Sequence, residues 1–231
     1  MKLAIMQPYF MPYLGYWQLM NAVDTYVVYD NIQYTKKGWF NRNRILLNGK
    51  DYLFTIPLKK DSDFLNVCER SVADDFNKAK LLNIYKEAYH KAPYFDTVFP
   101  LLEKIVCFEE NNLFTFLYNS IIAVRNILNI NSKIIISSTI KIDHTLKGKD
   151  KVIAICKELG ASEYYNAIGG QNLYDKTEFQ EKGISLKFLQ PELTPYKQLK
   201  NDFIAGLSII DVMMFNSGVK TNQLLNEYTL I

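Results

Sequence analysis

Histidine and cysteine are scarce in this sequence. It contains two histidines, His90 and His144, and three widely spaced cysteines, Cys68, Cys107 and Cys156. The cysteines form neither a disulfide framework nor a CxxC metal pattern, and no GxSxG nucleophile elbow occurs. These absences argue against a metal centre and against a serine or cysteine nucleophile, and the few cysteines are typical of a reducing cytoplasm.

Charge of one sign and long apolar runs are also lacking. The 231 residues include 27 Lys and Arg against 24 Asp and Glu, a net charge of +3. A nucleic-acid binder usually shows a basic stripe, so we expect no nucleic-acid partner. No apolar run approaches the roughly 20 residues that a membrane span needs. No signal peptide is visible before the first strand pattern, so we expect a cytoplasmic protein without a membrane span.

What the sequence has in quantity is tyrosine and phenylalanine, with 16 and 14 residues. Tyrosine joins an apolar ring to a polar tip, which suits pocket walls and interfaces. An AT-rich genome would enrich the same residues, together with Ile, Asn and Lys, for no functional reason. Both interpretations stay open at this point.

The order of strand and helix patterns predicts an α/β fold. The apolar run 2–6, the helical spacing over 16–23 and the β-branched run 25–30 form a short βαβ unit, which favours a parallel sheet. Strand and helix patterns alternate again from residue 133 onward. The sequence therefore predicts a mostly parallel, Rossmann-like sheet in a single domain over residues 1–231.

Two additions to this sheet are predicted in the first half of the chain. Asn48-Gly49 predicts the turn of a β-hairpin within residues 42–58, since both residues tolerate positive φ. Helical patterns follow at 72–92 and at about 100–129, an inserted helical segment of about 72–130. Ser71 or Asp74 is the expected cap of the first helix, and Asn111-Asn112 a break in the second. The last predicted helix covers residues 207–216.

The loop after the first strand, QPYFMPYLGY at residues 7–16, has the first candidate binding residues. Ligands of open α/β sheets bind at the carboxyl ends of the strands. Gln7 offers an amide, and Gly15 would allow a ligand or backbone to approach closely. The spacing of Tyr13 and Tyr16 resembles the H-x-G-H of adenylyl-transferring α/β enzymes. Tyr is uncharged at pH 7, so phosphate stabilisation would need cations from elsewhere.

The segment 29–45 supplies such cations. Asp30 is expected at the carboxyl end of the second strand, where an acid or base would act. An Arg fork matches phosphate or carboxylate, and Trp39 can stack on a base or a sugar. The candidate binding residues here are Gln33, Lys36, Lys37, Trp39, Asn41, Arg42 and Arg44. The alternative is a solvated, charged loop before the hairpin.

Two later segments add candidates. Asp143 and His144 could form a general base, because the carboxylate can orient the imidazole; the alternative is a surface or capping His. The loop after the strand at 162–168 has two glycines that could expose N–H groups to an anion, and the alternative there is a plain turn. Its candidate binding residues are Tyr165, Asn166, Gly169, Gly170, Gln171 and Tyr174.

Taken together, these segments resemble the WbqC-like protein family. Residues 4–45 are the most specific block, and YHKAPYF, HTLKGKD, YYNAIGGQNLYD and LSIIDVMMFNSG resemble its later blocks in order. The similarity spans nearly the full chain. Members are similar to proteins of O-antigen and other surface-polysaccharide gene clusters, and are often described as glycine or aminoacyl transferases. The resemblance implies a transferase that forms an amide on a nucleotide-linked amino sugar.

The resemblance implies roles but leaves the donor open. Trp39, Arg42 and Arg44 would hold a base and a diphosphate, and His144 or Asp30 would take the proton of the amine. Three donors are open: ATP with Mg²⁺, which would form an acyl adenylate, an acyl-CoA, and aminoacyl-tRNA. The modest net charge argues against aminoacyl-tRNA. The alternatives are a nucleotidyltransferase-like enzyme using ATP and Mg²⁺, and a non-catalytic sugar-nucleotide binding protein. A homodimer through the last helix is also open, although a core position for that helix is preferred.

Overall fold

The computed structural model describes residues 1–200 and 202–231, and its centre is a six-stranded sheet. The strand order is β5-β2-β1-β6-β7-β8, and β3 and β4 form a separate antiparallel hairpin. The strands are β1 Lys2–Met6, β2 Thr25–Val28, β3 Arg42–Leu47, β4 Lys50–Thr55, β5 Lys133–Ile136, β6 Glu163–Ala167, β7 Ser185–Pro191 and β8 Tyr228–Leu230. All pairings in the sheet are parallel except that of β7 with β8. The predicted fold class, a mostly parallel α/β sheet with a hairpin, is confirmed.

Helices cover both faces of the sheet. They are α1 Leu14–Asn21, α2 Lys78–Tyr89, α3 Phe95–Val106, α4 Leu113–Ile127, α5 Gly148–Glu158, α6 Lys176–Gln180, α7 Ile209–Phe215 and α8 Gly218–Leu224. Successive residues of a strand face opposite sides. Leu3 and Ile5 therefore join a core with residues of α5 and α6, whereas Ala4 joins the larger core with α1–α4, α7 and α8. In the part of the chain that is described, no helix is long and apolar enough to cross a membrane.

The inserted helices begin at positions other than those predicted. Neither Ser71 nor Asp74 caps α2; the Asn77 side chain does so, accepting from Lys80 N at 2.8 Å. Residues 71 and 72 are extended because they form β-bridges. Ser71 pairs with Asn112 and Val72 pairs with Leu58, and both partners are distant in sequence. The predicted break is confirmed, since α3 ends at Val106 and Asn112 caps α4.

The hairpin turn and α7 are present as predicted, whereas α8 and β8 were not predicted. Asn48 and Gly49 form the hairpin turn with φ of 52° and 76°, as the Asn-Gly signal predicts. The helix predicted over 207–216 is present as α7, and Met213 and Met214 lie in the core. Sequence patterns missed α8, capped by Ser217, and the edge strand β8.

Strand order creates a crevice at the carboxyl edge of the sheet. From β1 the chain moves outward to β2 and then to β5, and it returns to the other side of β1 at β6. The connecting helices change face accordingly, since α1 packs in one core and α5 in the other. Ligands of open α/β sheets bind outside the strands where the winding reverses. Here that position lies beyond Met6 and Ala167, the ends of β1 and β6.

Candidate functional site

A cavity of about 230 Å³ lies beside the loop that follows β1. Its walls come from that loop, from the start of the hairpin, and from the segment between β7 and α7. The lining residues are Tyr9, Pro12, Tyr13, Trp39, Asn43, Arg44, Leu193 and Gly206. The structure thus brings together the two segments that contain the predicted Tyr13, Trp39 and Arg44. Leu193 and Gly206 are additional, and no local sequence signal marks them.

Two guanidinium groups lie near the Trp39 ring. Arg42 Cζ is 5.2 Å and Arg44 Cζ is 5.8 Å from the ring centroid, distances typical of cation–π contacts. Arg42 donates to Gly38 O at 2.8 Å and also to Lys37 O, so its fork holds the loop before β3. Trp39 remains 41% exposed, which leaves ring surface for a ligand.

Arg44 supplies the cation of the cavity wall. Its Nη1 lies 3.2 Å from Asp51 Oδ2 and its Nη2 lies 3.3 Å from Gly206 O. Its Nε is buried and has no hydrogen-bond partner among the described residues. The Asp51 pair is substantially exposed and therefore weak. A ligand anion would compete with it easily.

The loop after β1 is held rigidly from behind. Asn43 Nδ2 donates to Phe10 O at 2.9 Å and to Met11 O at 2.5 Å, and Ser208 Oγ donates to Met11 O at 2.8 Å. Trp17 Nε1 donates to the next carbonyl, that of Pro12, at 3.0 Å. Met11 has a φ of 45°, a conformation that persists only when the surrounding contacts enforce it. The cavity is therefore formed before any ligand arrives.

Two tyrosines of the cavity wall are neutral hydrogen-bonding groups. Burial raises the pKa of Tyr9 to about 12, and the neighbouring Tyr13 adds to the shift. Burial also raises the pKa of Tyr13. Tyr9 OH donates to Gln7 Oε1 at 2.8 Å, which links the cavity to the end of β1. Both phenols keep their protons near pH 7, so they can orient a ligand but cannot serve as bases.

Gly15 and Tyr16 support the wall from the protein side. A Cβ added at Gly15 would lie 2.6 Å from Cε2 of Tyr13, so this glycine makes room for the Tyr13 ring. Tyr16 is buried, and its ring packs edge-on against Trp17 and Tyr26. Its hydroxyl donates to Gln7 O at 3.2 Å. The structure therefore places Tyr13 at the cavity and Tyr16 in the core.

A second polar cluster lies at the carboxyl ends of β2 and β5. Asp30 is 3% exposed, and its Oδ1 accepts from Ser137 Oγ at 2.7 Å and from Ser138 N at 2.9 Å. Ser137 Oγ is also 2.7 Å from Asn31 Oδ1. Among the described residues, both hydrogen bonds to this carboxylate go to Oδ1, so Oδ2 is the oxygen available for a ligand proton. The cluster continues through Asn31 to His144.

His144 is oriented by Asn31. Its Nε2 lies 3.0 Å from Ile140 O and its Nδ1 lies 2.9 Å from Asn31 Nδ2. A carbonyl oxygen only accepts, so we assign the proton to Nε2, and Nδ1 accepts from the amide. The Asp143 side chain bonds to Thr145 and not to His144. Its Oδ1 accepts from Thr145 Oγ1 and N, which lowers the pKa of the carboxyl. Sequence proximity suggested an Asp143–His144 pair, but the hydrogen bonds of the two side chains go to different partners.

Lys151 is a charged residue of this cluster that sequence reasoning missed. It lies in the first turn of α5 and is only 4% exposed. Its Nζ is 3.4 Å from His144 O and 5.1 Å from the centroid of the Tyr29 ring. Burial lowers the pKa of this amine, and the charges of Asp30 and Cys68 oppose the shift. Its i, i+4 relation to the buried Ile155 is the local signal that places it beside the core.

Comparison with known sequences identifies the family. The model of the WbqC-like protein family matches residues 7–223. The chain belongs to this family. It is 28% identical over 229 residues to the uncharacterized protein Rv1507c of Mycobacterium tuberculosis, and the match covers 97% of each chain. No solved structure matches. All eight residues that line the cavity, and Asp30 and Lys151, lie inside the range that the family model covers.

Other predicted residues of this WbqC-like protein hold its loops. Lys36 forms an ion pair with Asp63 at 2.9 Å, and Gln33 Nε2 donates to Asp63 O at 2.9 Å. Asn41 is buried, accepting from Tyr34 OH and donating to Ile56 O. None of these three lines the cavity, and Lys37 is exposed on the same loop.

The predicted residues of β6 and of the loop after it divide into a buried and an exposed group. Tyr165 is buried, and its hydroxyl donates back to Glu163 at the start of the strand. Asn166 is buried, and a Cβ at Gly170 would collide with its side chain. Gly169 and Gln171 are exposed at the carboxyl end of β6.

Tyr174 is packed against other aromatic rings, and no metal-binding group is found in the described residues. The Tyr174 ring packs edge-on against Tyr164 and Phe179, and burial raises the pKa of its hydroxyl. Across residues 1–200 and 202–231, no group of three or more His, Cys, Asp or Glu side chains is placed to hold a metal ion.

Proposed function

We propose that this WbqC-like protein is a transferase that forms an amide on an amino sugar carried by a nucleotide, in the assembly of surface polysaccharides such as O-antigen. The cavity carries the proposal: aromatic rings, one amide and one guanidinium line a preformed space of about 230 Å³. Pockets that enclose a drug-sized ligand measure roughly 300–1,000 Å³. A space of this size suits one ring of the substrate, with the remainder extending along the carboxyl edge.

Each wall of the cavity has a proposed contact. Trp39 and Tyr13 stack on a base or a sugar ring, as aromatic side chains in binding sites do. Arg44 binds a phosphate oxygen in place of its exposed Asp51 partner. Lys36, Lys37 and Arg42 add positive charge to the same loop. Gln7 joins the cavity wall to the end of β1 through Tyr9.

The proposed reaction uses the cluster at the ends of β2 and β5. The amine nitrogen of the sugar attacks the acyl carbonyl carbon, a C–N bond forms, and the bond from that carbon to the leaving group breaks. The nitrogen loses one proton, which Asp30 accepts on Oδ2. Both ring nitrogens of His144 already have hydrogen-bond partners. His144 therefore acts by fixing Asn31, which Ser137 ties to Asp30.

The test is product formation from defined substrates. The purified protein is incubated with a dTDP-linked 4-amino sugar and, separately, with acetyl-CoA, with glycyl-tRNA, or with glycine, ATP and Mg²⁺. Mass spectrometry then looks for the amide product. Asp30→Asn is expected to remove turnover and keep binding, and the exposed Asp96→Asn serves as the matched control.

The outcomes separate the three functions. Amide formation with one donor supports the transferase and identifies that donor. Release of pyrophosphate that needs ATP and Mg²⁺ but yields no amide would favour nucleotidyl transfer. Binding of the nucleotide sugar without conversion under any donor condition would favour a binding protein and contradict the transferase.

A further inference from the structure

Lys151 is buried without the partners that a buried cation needs. Among the described residues, no ion pair includes it. Its hydrogen bond to His144 O is long at 3.4 Å, while an ammonium has three donors. Lysine is almost never this buried unless it is paired. The position therefore has unused hydrogen-bonding capacity.

The surroundings of Lys151 disfavour a buried positive charge. It lies in the first turn of α5, where the helix dipole disfavours a cation. The charged or titratable groups that face it are Asp30, Cys68 and the Tyr29 ring, and none is within ion-pair or hydrogen-bond contact. Groups kept at a cost to stability are typical of functional sites. The charge of Asp30 attracts Lys151, but in the described part of the chain the two form no ion pair.

We propose that Lys151 contacts the substrate: its ammonium binds the carbonyl oxygen of the acyl donor, while Asp30 of the same cluster serves the amine. This inference rests on the proposed amide transfer. When the amine attacks, the π electrons of the carbonyl move to its oxygen, and Lys151 stabilises the resulting oxyanion. When the intermediate collapses, the electrons return, the bond to the leaving group breaks, and Asp30 holds the proton of the amine. A cation aimed at developing charge in a buried site is an effective form of catalysis.

The first test compares Lys151→Met with Lys149→Met. Lys149 is on the same helix but exposed and paired with Glu178, so it is a matched control. Methionine keeps the length of the buried stem and removes the charge. We expect Lys151→Met to raise the thermal midpoint of the ligand-free protein and to abolish amide formation. Lys149→Met should leave amide formation unchanged.

The second test detects the contact between Lys151 and the donor without relying on turnover. In ¹⁵N-lysine-labelled protein the Nζ resonance of Lys151 is assigned by its absence from the Lys151→Met spectrum. Acetyl-CoA, glycyl-tRNA and glycine with ATP are then added in turn. One of these donors is expected to shift the Lys151 resonance and to leave that of Lys149 in place.

Each outcome decides the inference. A lower thermal midpoint for Lys151→Met would show that the lysine is structural, and would overturn the contact. So would unchanged turnover in that variant, or a Lys151 resonance that no donor moves. A stabilised variant with a donor-dependent shift but no amide product would keep the Lys151 contact and refute the proposed function.

Discussion

Tyr196→Phe is expected to destabilise the protein by an amount that depends on pH. Tyr196 OH donates to Asp211 Oδ1 at 2.6 Å, and Asp211 is fully buried. The same carboxylate accepts from Gln198 Nε2 at 2.6 Å and from Tyr89 OH at 2.9 Å. Asp211 thus joins α2 and α7 to the segment that includes Leu193 and Gly206 of the cavity wall. Removing one donor removes a hydrogen bond to a buried anion, which costs about 1.5–3 kcal/mol.

The pH dependence follows from the charge of Asp211. Burial raises the pKa of this carboxyl, and the bond from Tyr196 partly offsets the increase. A carboxyl with a raised folded-state pKa contributes stability below its unfolded pKa and loses it as the pH rises through the folded pKa. Without Tyr196 the folded pKa rises further, so the variant loses most at pH 7. Below its folded-state pKa Asp211 is neutral, and the cost falls to about 0.5–1.5 kcal/mol, that of a neutral hydrogen bond.

Urea unfolding over a pH series measures both quantities. Tyr52→Phe is the control, because Tyr52 lies exposed on the hairpin and surface changes cost within about 0.5 kcal/mol. The midpoint should fall for Tyr196→Phe with an unchanged m-value. A cost no larger than that of the control, or one that is constant with pH, would refute the assignment of Asp211 as a charged acceptor.

Three further predictions concern the cavity and the cluster. Arg44→Ala and Gln7→Ala should abolish ligand binding, measured by calorimetry, while circular dichroism shows an intact fold; loss of the fold would instead indicate a role in stability alone. Gly15→Ala should destabilise by about 1–3 kcal/mol, since its Cβ meets the Tyr13 ring; an unchanged urea midpoint would contradict this. Ser137→Ala should cost about 1.5–3 kcal/mol by removing a bond to the Asp30 carboxylate and should slow turnover; Ser138→Ala, which keeps the backbone donor, is the control.

Local features of the sequence were sufficient for the elements of the fold. The apolar runs of β1 and β2, buried on both faces, indicate a parallel sheet because such strands need no polar side. Asn48-Gly49 sets the hairpin turn through its own backbone preferences. By contrast, the start of α2 depends on bridges from residues 71 and 72 to partners about 40 and 14 positions away in the chain. Helical periodicity alone extended that helix too far.

The sequence by itself determined which loops contain aromatic, amide and cationic side chains, and the family to which the chain belongs. Only the tertiary structure decided which of them meet. Arg44 donates to Gly206 O and Asn31 bonds to His144, through contacts that span more than 100 residues, and the charge of Asp30 acts on Lys151. The reason is physical: periodicity fixes the face that a residue occupies, whereas strand order and packing fix its neighbours.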